Sequence, residues 1–259
     1  MKTMKTIGLT SSLILAAFAA GSASAATWTY SSTGPASNAG LTATATAFSA
    51  TNSTTATISA TTAYYSGGLG VTSSGESTTS PQHAIDNNGA IETVLFSFSD
   101  SIGGITSADK VNLTSVNFGW VYNGDSDFSV YAYTGSSAAP TPAGVSYTNL
   151  TTVANGWTLV GSYNGGVAGT YNFANSVYSS HWLIGAYNGI GVSSGLDTGD
   201  DYFKIASVAG NKCPTSGTLP AGCGGGGGGS SGVPEPGSLL LVGIGLLGLS
   251  RVSRRPAAK

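Results

Sequence analysis

Four aspartates on short Asn- and Gly-rich stretches carry the chemistry this chain can be read for first. Asp125 and Asp127 lie in Tyr122-Asn123-Gly124-Asp125-Ser126-Asp127, and Asp200 and Asp201 in Asp197-Thr198-Gly199-Asp200-Asp201-Tyr202. Carboxylates on turns offer hard oxygen ligands, and neighbouring Asn side chains and backbone carbonyls can complete the shell of a calcium ion. The spacing is not that of an EF-hand, because the ligand ladder is incomplete. Asx residues also build turns unaided by metal, and that alternative stays open. A further polar cluster, Ser80-Pro81-Gln82-His83-Ala84-Ile85-Asp86-Asn87-Asn88-Gly89, lies upstream.

Aromatic residues supply a second chemistry. Trp120, Tyr122, Trp182 and Tyr187 could stack on sugar rings beside Asn and Asp hydrogen bonds, or could pack in the core, the commoner fate of aromatics in strands. Hydrolysis has less support. Gly191-Val192-Ser193-Ser194-Gly195 fits G-x-S-x-G, but no His follows Ser193, since the chain has only His83 and His181. A nucleophile elbow needs the order Ser, acid, His. A glycosidase-like carboxylate pair would have to be Asp86 and Asp127, at a separation only the fold can supply.

These residues need a rigid frame, and the periodicity supplies strands. Leu41, Ala43, Ala45 and Ala47 alternate with Thr42, Thr44 and Thr46, which is period two. Ala56, Ile58 and Ala60 repeat it, and Val94, Phe96 and Phe98 alternate with Leu95 and Ser97. Val111 and Leu113 begin a strand whose phase shifts after Ser115 to Val116, Phe118, Trp120 and Tyr122, the mark of a bulge. Strands are also expected at 128–133, 157–163, 170–173, 182–187 and 202–208, with Asn123-Gly124-Asp125 joining two of them. Residues 26–40 read as an irregular lead and Tyr64–Asn88 as a long loop. Roughly nine short strands without an amphipathic helix predict an all-β antiparallel sandwich or jelly roll.

Composition narrows the partners. Between residues 26 and 232 stand three lysines (Lys110, Lys204, Lys212) against ten carboxylates, a formal −7, and no arginine. Such a surface excludes nucleic acid as a partner and favours cations. Cys213 and Cys223 are the only cysteines. In an oxidising compartment they are expected to pair, closing a short loop worth about 2–3 kcal/mol in the chain-entropy account.

The termini carry addresses. Lys2 and Lys5, an apolar run from Ile7 to Ala20 and Ala23-Ser24-Ala25 form a secretory signal peptide, so residues 1–25 are expected to be removed by signal peptidase. At the other end Val233-Pro234-Glu235-Pro236 precedes an uncharged stretch from Ser238 to Leu249, followed by Arg251, Arg254 and Arg255. As a helix that stretch spans about 18 Å, against about 30 Å of hydrocarbon, which suits transient rather than permanent residence as a transmembrane helix. The basic tail fits a cytoplasmic stop.

Box, short apolar segment and Arg tail together resemble the PEP-CTERM sorting domain of bacterial surface proteins. That resemblance implies processing by an exosortase, a Gram-negative envelope, a passing stay in the inner membrane, and association with exopolysaccharide and biofilm. The order Pro-x-His-Ala-Ile-Asp-Asn, Gly-Trp, Asp-Ser-Asp and Asp-Asp-Tyr-Phe is also similar to a recurring type of exosortase-dependent surface protein, to which no activity attaches. The expected organisation is a signal peptide (1–25), a secreted β-sandwich domain (26–222), a Gly-rich linker (223–232) and the sorting signal (233–259). The expected role is structural or adhesive and not enzymatic. The alternative is a carbohydrate-binding module stabilised by calcium, and a secreted hydrolase ranks last.

Overall fold

A computed structural model describes residues 25–223 except 52, 82, 101–108, 192–193 and 215–218. In chain order the strands are β1 (Ala25–Thr29), β2 (Ala36–Asn38), β3 (Leu41–Thr51), β4 (Ser59–Ala60), β5 (Thr62–Tyr65), β6 (Leu69–Thr72) and β7 (Ile85–Asp86). They continue with β8 (Ala90–Ser99), β9 (Val111–Val121), β10 (Phe128–Tyr133), β11 (Trp157–Tyr163), β12 (Gly169–Asn172), β13 (His181–Ala186) and β14 (Tyr202–Lys212). One helical turn, α1 (Tyr147–Leu150), precedes β11.

The strands form two antiparallel sheets. The first runs β12-β9-β14-β6-β5, with β1 and β7 also pairing with β14. The second runs β11-β10-β13-β8-β3-β2, with β4 on β3. Alternation decides which side chains enter the space between them. In β3 Ala43 and Ala47 are buried while Thr44 and Thr46 face water, and the small inward residues let Phe96 and Phe98 of β8 fill the layer. Trp28, Phe96, Phe98, Phe118, Phe128, Trp182, Phe203 and Ile205 make the centre of that core. Each large apolar side chain so buried contributes about 1.5–3 kcal/mol. Their polar atoms are satisfied: Trp28 Nε1 donates to Leu41 O (3.1 Å) and Trp182 Nε1 to Val111 O (3.1 Å).

β8 is buried on both faces, because Ile91 and Leu95 point away from the sandwich interior into a second cluster. Phe48, Ile58, Tyr131, Tyr147, Leu150, Trp157 and Leu183 complete it. Residues from the β10–β11 connection, α1 among them, thereby cover the outer side of the second sheet.

The structure is an all-β antiparallel sandwich, as the periodicity predicts. The phase shift after Ser115 is a bulge: Ala209 pairs with Ser115 but Gly210 pairs with Leu113, so Thr114 is the extra residue. A second irregularity was not visible in the sequence. Ile205 pairs with Phe118 and Lys204 with Trp120, leaving Gly119 over and turning Trp120 off the core face that Phe118 occupies.

Three expectations are corrected and a fourth, the Asn123-Gly124 turn, is refined. Residues 26–40 are not an irregular lead, since β1 pairs with β14 and β2 with β3. Tyr64–Asn88 is not one long loop, since it holds the end of β5 and all of β6 and β7. Their short edges carry too little alternation to register as strands. The Ala56–Ala60 strand shrinks to the two residues of β4 and an isolated bridge at Thr57. The turn Asn123-Gly124 exists, with φ of 53° and 77°, but it ends β9 and sends the chain to the other sheet rather than closing a hairpin between paired strands.

Cys213 and Cys223 are joined in a disulfide with Cα atoms 5.5 Å apart, closing the chain just beyond β14. Gly70 in β6 lies where the His83 carbonyl crosses the strand, leaving no room for a Cβ. Gly70→Ala is therefore expected to cost at least about 1–3 kcal/mol, as overpacking does. Urea unfolding checks this, and a midpoint equal to that of the parent protein would reject the close approach.

Candidate functional site

The three polar segments singled out in the sequence, 80–89, 120–127 and 197–202, meet at one end of the sandwich. Asn87, buried just beyond β7, ties them. Its Oδ1 accepts from Gly199 N (2.9 Å) and Asp201 N (3.1 Å), and its Nδ2 donates to Tyr187 O (3.0 Å) and to Asp201 Oδ2. Asp201 Oδ1 accepts from Asp127 N (2.5 Å). Asp127 accepts in turn from Gly165 N (3.2 Å) and Asp197 N (3.1 Å). Carboxylates and one amide thus replace a missing sheet ladder where the strands run out.

This arrangement packs acidic groups together. One oxygen each from Asp125, Asp127 and Asp201 lies within 4.8 Å of the others, and the same holds for Asp125, Asp197 and Asp200. All four expected ligands, Asp125, Asp127, Asp200 and Asp201, fall in these two overlapping groups, and Asp197 joins them. Burial, then the Asp127 charge, pushes Asp201 up to about 9. Asp127 is raised by burial against two lowering backbone N–H bonds. Asp200 moves up through desolvation, then through Asp197 and Asp125. A divalent ion would reverse these shifts by stabilising the charged forms, and five carboxylates with backbone carbonyls suit an oxygen-seeking ion.

A second carboxylate group lies beside the first. Glu92, fully buried, accepts from Ser73 Oγ (2.5 Å) and from Asp86 N (3.2 Å). Glu76 accepts from Ser73 N (2.7 Å). Asp86 is pushed up to about 7, by burial first, opposed by the Asn88 N–H and reinforced by Glu76. Burial and then Asp86 hold Glu92 well above the carboxylate range. Like charges this close favour a retained proton over full ionisation. A cavity of about 350 Å³ opens here, lined by Ser73, Glu76, Asp86, Asn88 and Tyr202 among others. Asp86 therefore belongs with Glu92 and Glu76, and Asp127 with Asp125 and Asp201, so the two do not form one pair.

The aromatic candidates separate. Tyr122 is exposed, Trp120 is half-buried, and their rings stack at 6.0 Å. Tyr202 meets Tyr122 edge-on at 5.7 Å, and its hydroxyl accepts from Asn88 Nδ2 (2.5 Å). Of these rings Tyr202 lines the cavity, while Tyr122 bridges to Asp125 at the acidic end. Trp182 does not join them: it is fully buried in the core, so it is withdrawn as a glycan contact. Tyr187 is likewise buried. His181 is buried beside Ser180, and burial lowers it to about 4, which fits a packed imidazole. Ser193 lies outside the described residues.

Glu92 and Lys204 are not marked as site residues by the sequence, and Asn87 stands there only as one member of the 80–89 cluster. Glu92 had a signal, since it shares the inward parity of Val94, Phe96 and Phe98, where a carboxylate is out of place. The tying role of Asn87 and the burial of Lys204 have none, because their partners are more than a hundred residues away.

The described domain is thus an antiparallel β-sandwich with an acidic, partly aromatic loop end. Residues 232–255 match the family model of the PEP-CTERM protein-sorting motif, so the chain carries that motif. The match spans Val233, Pro234, Glu235, Pro236, Arg251, Arg254 and Arg255, which lie outside the described residues, as do most of the signal peptide and linker. No curated protein and no solved structure matches the chain.

Proposed function

We propose that this chain is an exported surface protein of a Gram-negative bacterium, processed by an exosortase, whose β-sandwich is a structural or adhesive element of the exopolysaccharide matrix and not an enzyme. The sorting motif at 232–255 carries the proposal. A chain with this signal passes through the inner membrane and is released from it by processing. A polar, nearly lysine-free sandwich closed by a disulfide suits the outside of a cell.

Replacing Pro234 and Pro236 by alanine is expected to abolish the surface pool and leave precursor in the membrane fraction. Surface labelling of the host checks this, and unchanged labelling would overturn the sorting claim.

A second reading, a carbohydrate-binding module stabilised by calcium, is favoured by the convergence of Tyr122, Trp120 and Asn88 beside the Asp125–Asp201 cluster. Aromatic faces stack on sugars while neighbouring polar groups fix their hydroxyls. A glycan array with wild type and Tyr122→Ala distinguishes the two: saturable binding lost in the variant supports the module, and silence across the array supports a purely structural role.

A further inference from the structure

Five Asn-Gly pairs stand in the described domain: Asn88-Gly89, Asn123-Gly124, Asn155-Gly156, Asn164-Gly165 and Asn188-Gly189. In such a pair the glycine nitrogen can close a five-membered ring on the asparagine amide carbon, and glycine has no Cβ to obstruct the approach. The fold holds four of the five. Asn188 is buried, and its Nδ2 donates to the Tyr131 hydroxyl (2.8 Å). Asn155 Nδ2 donates to Asn149 O (2.8 Å) and Thr152 Oγ1 (2.9 Å), and Gly156 N to Thr152 O (3.1 Å). Asn164 Nδ2 donates to Gly195 O (2.9 Å), and Gly165 N to Asp127 Oδ1 (3.2 Å). Asn88 Nδ2 donates to the Tyr202 hydroxyl (2.5 Å).

Asn123-Gly124 is the exception. Both residues are exposed to solvent. Among the described residues neither the Asn123 side chain nor Gly124 N has a protein hydrogen-bond partner. Their φ angles of 53° and 77° put both in the left-handed region, as tight Asn-Gly turns require. One hydrogen bond spans the pair, from Asp125 N to Tyr122 O, and at 3.3 Å it is long. Turning Gly124 N toward the Asn123 amide carbon therefore breaks less structure here than at the other four pairs.

We propose that Asn123-Gly124 is a self-modification site, at which the folded protein loses the Asn123 amide with water as the only co-reactant. Gly124 N gives its proton to solvent and attacks Asn123 Cγ. The new C–N bond closes a succinimide, and the amide nitrogen leaves as ammonia. Water then opens the ring. Cleavage at Cγ yields aspartate, and cleavage at the main-chain carbonyl yields an isoaspartyl link. Nothing is oxidised or reduced. Either product adds a negative charge two residues from Asp125, and the isoaspartyl form also lengthens the backbone between Tyr122 and the acidic end. The site stands on the turn alone and goes beyond the function proposed above.

Peptide mass mapping of the wild-type protein, incubated at neutral pH both folded and unfolded in guanidinium, tests this. In the folded protein Asn123 is expected to gain the mass of an amide-to-acid conversion first, as a mixture of aspartyl and isoaspartyl peptides. The other four pairs are expected to lag at least about fivefold, because each keeps a hydrogen bond that Asn123 lacks. In the unfolded chain all five are expected to convert at similar rates, since only the fold distinguishes them. Hydroxylamine added to the folded protein is expected to cut the chain after Asn123, at the succinimide. Conversion led by another pair, an Asn123 that stays intact while the protein is folded, or the same ranking folded and unfolded would each overturn the proposal.

Discussion

Replacing Phe118 by alanine is expected to cost about 3–5 kcal/mol, the range for emptying a buried aromatic site. Phe118 stacks on Phe203 at 4.2 Å and meets Phe128 at 5.1 Å and Tyr171 at 5.0 Å. It thereby joins β9, β14 and β12 of one sheet to β10 of the other. No neighbouring ring can swing into the gap without leaving another partner. For a domain of this size each kcal/mol lowers the melting temperature by roughly 2–4 °C, so the loss is large in calorimetry. Tyr122→Ala, on the exposed rim, is expected to change stability by less than about 0.5 kcal/mol. Similar losses in both variants would mean that the core does not centre on this stack.

The second large effect is a loss of stability toward alkaline pH that calcium offsets. Asp86 is raised to about 7, Asp201 to about 9, and Glu92 well above the carboxylate range. In the unfolded chain such groups titrate near about 4. The native state therefore keeps protons that the unfolded state has released. That contribution is complete below about pH 4 and is lost as pH rises through about 7 and then about 9. Unfolding midpoints measured across that range should fall on the alkaline side. Asp201→Asn is expected to flatten the upper part of the slope, whatever its effect on absolute stability. Calcium should raise the midpoint most where the carboxylates would otherwise ionise, and should release protons on binding. Midpoints that ignore calcium at every pH would reject the cation reading of the Asp125–Asp201 group.

The core of the fold follows from period two. Leu41–Ala47 alternates cleanly because one face meets the opposite sheet and the other water, Val94–Phe98 and Phe128–Tyr133 keep the inward period while Leu95 and Tyr131 are buried on the outer face, and the Ser115 bulge shows as a break in phase. β5, β6 and β7 leave no such trace. They are only two to four residues long, too short to show a period, and owe their pairing to β14 and to one another. The site was visible only in pieces. Asp125, Asp127, Asp200 and Asp201 stand out as carboxylates on turns, but their union depends on Asn87, more than a hundred residues from Asp201. Trp182 and Tyr122 look alike in an alternating pattern. Which one faces water is set by register, and the extra residue at Gly119 turned Trp120 outward where alternation placed it inward.

Export of this protein, and its sorting and processing through the C-terminal signal, carry the proposed function. Intact mass of the protein recovered from its host's surface tests it most directly. The expected species begins at Ala26 and ends near the Val233–Pro236 box, without the apolar segment and the arginines. Recovery of the full C-terminus, with the protein held in the inner membrane, would contradict it.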